Sequence, residues 1–235
     1  LNEKLSTDRG SVICRCCGSK NLVQILDLGE HPLPAEYGET VEDIKETFPL
    51  KLNICTECAL GQLGEYVLPE RIFHNTYPYL SSASSTWVKH AQNYAMKMVS
   101  ELNLNKNSLV VEIASNDGYL LSEFAKLGIP VLGVEPAENV ANMARDKGIQ
   151  TISKFFGEQL ASEIIDKKGH PDLLVANNVF AHVPNMLDFA KGLSTLADKK
   201  TTITIENPSL STLINDGLFD TIYHEHYSYL SAHSV

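Results

Sequence analysis

The chain has 235 residues, 43% of them hydrophobic, and a formal net charge of −10 at pH 7. That length can bury a sizeable core, in one large domain or in a small and a medium one. The acidity argues against non-specific binding of nucleic acid or an anionic membrane. No apolar run approaches a membrane span and no signal-peptide pattern opens the chain, so a cytoplasmic protein is expected, while Leu1 in place of Met suggests a trimmed or partial one.

All five cysteines fall before residue 60. Cys14-Arg-Cys-Cys17 with Gly18, and Cys55-Thr-Glu-Cys58 with Gly61 soon after, form two C-x-x-C knuckles. Two residues between thiolates let both reach one tetrahedral ion, and the small residues that follow permit a turn that aims amides at sulfur. The 37 residues between the knuckles exceed a usual ribbon spacer, so an elaborated insert is expected, with strands over Leu22 to Leu28 and Phe48 to Ile54. Cys14, Cys17, Cys55 and Cys58 are the expected zinc ligands and Cys16 a spare thiol. Four matched cysteines imply a closed, structural site that supplements a core of about sixty residues. Residues 1–65 are thus read as a zinc-binding domain.

Residues 66–104 read as a linking loop and a bridging helix. Tyr77-Pro-Tyr79 and the serine-rich run after it form a polar, aromatic-studded loop of the kind that lines sites. From Trp87, the residues Ala91, Tyr94, Ala95, Met98 and Leu102 recur at helical spacing behind a cap at Ser85 or Thr86.

Leu109 to Ile113 is a β-branched apolar run broken only by Glu112, as a strand buried on both faces requires. It stops at the small residues Ala114, Ser115, Asn116, Asp117 and Gly118, and a helical pattern from Leu120 to Leu127 follows Tyr119. In an open α/β sheet such a turn lies at the carboxyl edge of the strands, where backbone approaches a ligand. With Gly118 its only glycine, it disfavours a pyrophosphate cradle and suits a nucleoside. The pattern resembles the first motif of S-adenosylmethionine (SAM) methyltransferases, with Ala114 and Asn116 where two glycines usually stand.

Alternation then continues: strand Val131 to Glu135, helix Ala137 to Lys147, strand Ile149 to Phe156, helix Glu158 to Lys167, strand Leu173 to Val179, helix Met186 to Ala197, strand Thr202 to Glu206. Short links between them predict right-handed crossovers and a mostly parallel, doubly wound α/β sheet over residues 105–235. Glu135, before Pro136, ends the second strand about 20 residues beyond the turn, where an acid accepts both ribose hydroxyls. Asn177 and Asn178 end the fourth strand beside the same turn. Phe155 and Phe156 are candidates to cover an adenine, with core packing as the alternative for one of them. Glu112, Ala114, Asn116, Gly118, Tyr119, Glu135, Pro136, Phe155, Asn177 and Asn178 are the expected cofactor positions, and His182 follows strand four as a candidate at the reacting end.

Tyr223-His224-Glu225-His226-Tyr227-Ser-Tyr229 gathers more titratable chemistry than an ordinary surface segment. H-E-H lacks the spacing of a zincin helix; a metal at His224 and His226, or a structural aromatic cluster, are the alternatives to proton transfer. A base beside SAM favours methylation of carbon, which requires removal of a proton alpha to a carbonyl.

The two knuckles, Y-P-Y-L-S-S-A-S, V-E-I-A-S-N-D-G-Y-L, E-N-P-S-L and I-Y-H-E-H-Y-S-Y-L-S together resemble the nucleotide-sugar C-methyltransferases of branched deoxysugar biosynthesis. The resemblance implies a zinc-binding amino-terminal domain, a Rossmann-like SAM domain, and C-3 methylation of a TDP-linked or other nucleotide-linked 4-keto-6-deoxysugar. It also implies His226 as the base, with Tyr223, Glu225, His182 and Tyr77 holding the sugar or polarising its keto oxygen. Members of that family continue into a carboxyl-terminal domain that helps to bind the nucleotide sugar, so a fragment or shortened relative is expected, with the fifth strand as a bare edge. A SAM-binding scaffold without turnover, or an oxygen or nitrogen methyltransferase, are the competing readings.

Overall fold

The computed structural model describes residues 13–34, 40, 46–64 and 67–234. In chain order its elements are β1 (Leu22–His31), β2 (Phe48–Cys55), β3 (Gly61–Leu63), α1 (Pro69–Ile72), α2 (Ser85–Leu102), β4 (Val110–Ile113), α3 (Leu121–Lys126), β5 (Val131–Val134), α4 (Glu138–Asp146), β6 (Thr151–Ile152), α5 (Glu158–Lys168), β7 (Leu173–Asn177), α6 (Met186–Leu196), β8 (Thr202–Glu206), α7 (Leu210–Asp216) and β9 (Ser228–Tyr229). They form two compact units, Val67–Asn207 and Leu1–Tyr66 with Pro208–Val235. The expected domain boundary at residues 65 and 66, and the termini Leu1 and Val235, lie outside the described residues.

In the Val67–Asn207 unit the sheet order is β6-β5-β4-β7-β8, every pair parallel. The expected doubly wound sheet is therefore present. Every residue of β4 is buried, as its apolar run requires, and the strand order reverses at β4. The turn after it consequently opens at the topological switch point, where ligands bind in such sheets. Ala91, Ala95 and Met98 of α2 pack with Leu121 and Phe124 of α3 over Val110, Leu173 and Val175. Burial of each large member contributes about 1.5–3 kcal/mol. The Ser84 hydroxyl caps α2 by accepting from the Trp87 amide, one residue ahead of the expected cap.

One expectation is corrected. The third strand, expected over Ile149 to Phe156, is only Thr151–Ile152, because the edge position offers it just Gly133 and Val134 of β5 as partners. Beyond it Ser153 hydrogen-bonds Pro136 O, and Phe156 leaves the sheet to pack edge-on against Phe189 at 5.5 Å. Residues 208–235, expected in the methyltransferase domain, pack in the same compact unit as the cysteine knuckles. Leu210 and Leu213 of α7, Ile222 and Tyr229 pack with Leu50, Leu52 and Leu63, so this segment buries its apolar residues on the other sheet. That sheet has the order β1-β2-β3-β9, antiparallel throughout. Among the described residues β8 pairs only with β7, leaving Ile203 and Ile205 partly exposed, as expected of an edge. No helix of the described residues is long and apolar enough to cross a membrane.

Candidate functional sites: a donor turn, a cysteine cluster and a histidine–tyrosine pair

Both knuckles begin as the spacing predicts. Gly18 N donates to Cys14 O and Ala59 N to Cys55 O, and each turn is completed in the left-handed region, by Gly18 at φ 73° and Ala59 at φ 56°. The second small residue is thus Ala59 and not Gly61, which instead lies in β3, where a Cβ would stand 3.0 Å from that of Tyr229. One ligand atom from each of Cys14, Cys17, Cys55 and Cys58 falls within 4.8 Å of the others, with Sγ separations of 3.5 Å (Cys14–Cys58) and 3.6 Å (Cys17–Cys55). A zinc ion about 2.3 Å from each sulfur needs sulfurs roughly 3.8 Å apart. The donor set fits. Burial raises the Cys14 and Cys58 thiols; at Cys55 burial acts the same way, but hydrogen bonds from the Cys58 and Glu57 amides and from Cys17 and Cys14 together bring the thiol down to about 7.

At the donor turn, Ala114 (φ 57°), Asn116 (φ 49°) and Gly118 (φ 77°) alternate in the left-handed region. The two positions where the sequence lacks a glycine are therefore the two that adopt a glycine's conformation. Glu135 is 4% exposed, and its carboxylate accepts from Asn116 N at 3.0 Å and Ala137 N at 2.9 Å, one oxygen each. Burial lifts it to about 7 against the pull of the Ala137 and Asn116 amides. Each oxygen keeps a lone pair for a further donor. Glu112 is buried on the adjoining strand; desolvation, then the Glu135 and Asp117 carboxylates, raise it well above the usual carboxylate range. Among the described residues Glu112 Oε2, Ser115 Oγ and Asp117 Oδ1 are buried without a hydrogen-bond partner. Three such atoms around one turn fit a site for a polar ligand.

Sequence reasoning missed how the Tyr77–Ser84 loop is fastened to this turn. Ser81 N donates to Asn116 Oδ1 at 2.7 Å, Asn116 Nδ2 donates to Tyr79 O at 3.3 Å, and Ser82 Oγ donates to the Asp117 carboxylate. Lys147 Nζ reaches the same carboxylate at 2.9 Å. The signal available was Asp117 itself: a carboxylate between a buried strand and a helix needs a partner. Tyr79 stays exposed on this strap.

The remaining expected cofactor positions divide. Pro136 takes the Ser153 hydroxyl and Phe155 is exposed at the sheet's carboxyl side. Tyr119 is buried in the α2–α3 core, 6.4 Å from the Trp87 ring. Asn177 is half-buried at the end of β7, whereas Asn178 (φ 50°) gives its amide to Glu206 Oε1 at 2.9 Å. Of the candidates around the transferable group, Tyr77 and His182 meet a common ring, Phe73, at 5.3 and 5.8 Å.

The other candidates belong to the Pro208–Val235 segment. Tyr223 OH lies 3.0 Å from His226 Nε2, the rings 4.3 Å apart. Burial pushes His226 down to about 4, against a hydrogen bond to the Thr221 backbone, so the ring is neutral at pH 7. A neutral ring whose Nε2 is unprotonated accepts there from the Tyr223 hydroxyl. Tyr229 OH accepts from Tyr223 N. Glu225 is buried, and His224 is turned away to Phe48 O at 3.2 Å, so His224 and His226 do not converge as a metal pair.

A family described as a zinc binding domain matches residues 14–73, and one described as a methyltransferase domain matches residues 87–235. The C-methyltransferase NovU of Streptomyces niveus is 33% identical over 224 residues, covering 94% of this chain and 53% of its own length. The chain belongs to this methyltransferase family. It spans about half the length of that relative. Solved structures with a similar fold include a SAM-dependent methyltransferase from Archaeoglobus fulgidus, with 17% identity, TM-score 0.46 and 60% and 63% of the two chains covered. The magnesium protoporphyrin IX methyltransferase of Synechocystis PCC 6803, solved with S-adenosylhomocysteine (SAH), has 17% identity, TM-score 0.46 and coverages of 63% and 68%. SAM is the cofactor of this methyltransferase fold, and the four cysteines, all within the matched zinc binding domain, are its candidate zinc site.

Proposed function

We propose that the chain supplies the methyl-donor site and the proton-abstracting group of a SAM-dependent C-methyltransferase acting at C-3 of a nucleotide-linked 4-keto-6-deoxysugar, TDP being the first nucleotide to test. The observation that carries the donor site is Glu135, buried at a strand end and held by the Asn116 amide of the turn and the Ala137 amide of its own loop, with acceptor capacity left for the two ribose hydroxyls. Bound SAM supplies an electrophilic methyl group on a sulfonium. Asn116, Gly118 and the strap bring backbone close to the nucleoside, and Phe155 and Asn177 are the candidates for its base.

For the acceptor, the Tyr223 hydroxyl on His226 Nε2 offers a proton relay, which favours carbon over oxygen or nitrogen because only carbon requires the removal of a C–H proton. The Tyr223 oxygen takes the C-3 proton as its own proton moves to Nε2, and the electron pair passes to the keto oxygen as an enolate. Glu225, His182 and Tyr77 hold the sugar and stabilise that oxygen.

Calorimetry with SAH tests the donor half. Wild-type protein binds, and Glu135→Ala loses binding by at least about a hundredfold while its zinc content stays unchanged. Absence of heat with the wild type refutes the reading. Methyl transfer to a TDP-linked 4-keto-6-deoxysugar, with and without a supplied carboxyl-terminal domain, tests the acceptor half. Tyr223→Phe and His226→Asn are expected to lose about equally, roughly 10²-fold or more. Full activity in His226→Asn points to an oxygen or nitrogen acceptor, and binding without transfer in either assay points to a scaffold.

A further inference from the structure

Arg15 sits inside the first knuckle, between the ligands Cys14 and Cys17, yet its side chain points away from the sulfurs. Its guanidinium donates to Tyr227 O at 2.5 Å through one nitrogen and to Leu63 O at 3.0 Å through another. Tyr227 follows His226 directly, and its carbonyl also accepts from Leu63 N. The knuckle backbone is clamped to the same strand by Gln62, which is fully buried: its Oε1 accepts from Arg15 N at 2.9 Å and its Nε2 donates to Ile13 O at 3.1 Å. Cys16 Sγ donates weakly to Ser234 O at 3.6 Å, so the supposedly spare thiol also faces the carboxyl-terminal segment.

The segment carrying the histidine–tyrosine pair needs such support. Among the described residues β9 has two residues, paired with β3 as Gly61–Tyr229 and Gln62–Ser228, beside the apolar packing of Ile222 and Tyr229. Pairing that short does not hold a strand by itself. An arginine that bridges two carbonyls with charge-assisted, planar geometry fixes backbone position in a way a single ammonium cannot.

We propose that Arg15 is a positioning residue that couples the cysteine cluster to the reacting segment. Zinc fixes Cys14 and Cys17 against Cys55 and Cys58, this fixes the arginine between them, and the arginine fixes the Tyr227 carbonyl and with it the His226 backbone. The zinc site then acts as a mount for the base and not only as a staple of its own sheet. The coupling stands on the geometry; its consequence for turnover rests on the function proposed above.

The test uses the whole chain, with hydrogen exchange followed peptide by peptide. In Arg15→Ala and Arg15→Met, exchange over residues 223–230 rises at least about tenfold, while zinc stoichiometry, exchange over 52–58 and SAH affinity remain those of the wild type. Arg15→Lys falls between. Chelation of zinc from the wild type raises exchange over 223–230 as well. If the acceptor assay is active, kcat falls in Arg15→Met with the donor KM unchanged. Wild-type exchange over 223–230 in the zinc-loaded variants overturns the proposal. Loss of zinc from both variants overturns it too, because Arg15 would then serve the knuckle's own fold. Failure of methyl transfer by the wild type bears on the proposed function alone, since the exchange readout needs no substrate.

Discussion

At residue scale the donor turn departs from its family pattern in chemistry but not in conformation. Ala114 and Asn116 occupy left-handed backbone that glycine adopts freely, and a β-carbon there costs about 1–2 kcal/mol. Asparagine offsets part of this with its side chain, which ties down the strap. Alanine has no such compensation. Ala114→Gly is therefore expected to stabilise the protein by about 0.5–1 kcal/mol, net of the extra flexibility glycine brings to the unfolded chain. Urea unfolding measures this, and a loss of stability would show that the methyl group packs better than the backbone suffers. Gly133 illustrates the opposite constraint: a Cβ there would stand 2.4 Å from Ser115 Oγ, so glycine is needed for room.

At element scale, the strands and helices around the turn follow from periodicity, since a run such as Leu109 to Ile113 has no other way to bury itself. Edge elements were less legible. β6 is short because its partner offers little, and β9 exists only because β3 stands beside it. The strap was visible as a serine-rich loop, but its attachment was not, because Ser82–Asp117 and Ser81–Asn116 link residues 35 apart. Asp117→Ala removes both the Ser82 and the Lys147 contacts of a nearly buried carboxylate. It is expected to weaken SAH binding by about tenfold, or 1.4 kcal/mol, and to speed proteolysis within residues 77–84. Unchanged affinity with faster proteolysis would separate the strap from the donor site.

At the scale of the whole molecule, the two units are expected to respond to pH with opposite sign. In the unit holding the knuckles, His226 sits near 4 and His224 is also lowered by burial, so the unfolded state binds more protons below about 6.5. Stability there is complete above 6.5 and is lost as pH falls toward 4, by about 3 kcal/mol at most for His226. In the other unit Glu135 sits near 7, so stability is complete below its unfolded value of about 4.5 and is lost as pH rises through 7. Hydrogen exchange at pH 5 and pH 8 should show protection moving in opposite directions in the two units. Parallel movement would show that other groups dominate. The sequence by itself determined the cysteine cluster, the parallel sheet and the donor turn, because ligand spacing and hydrophobic period are local properties that each segment carries wherever it packs. Only the tertiary structure decided that residues 208–235 join the knuckles, that the loop before α2 straps the turn, and that Arg15 reaches Tyr227 across 212 positions of chain. Those are long-range partnerships between short polar or weakly apolar stretches, which leave no period to read and are chosen by the fold that brings them together.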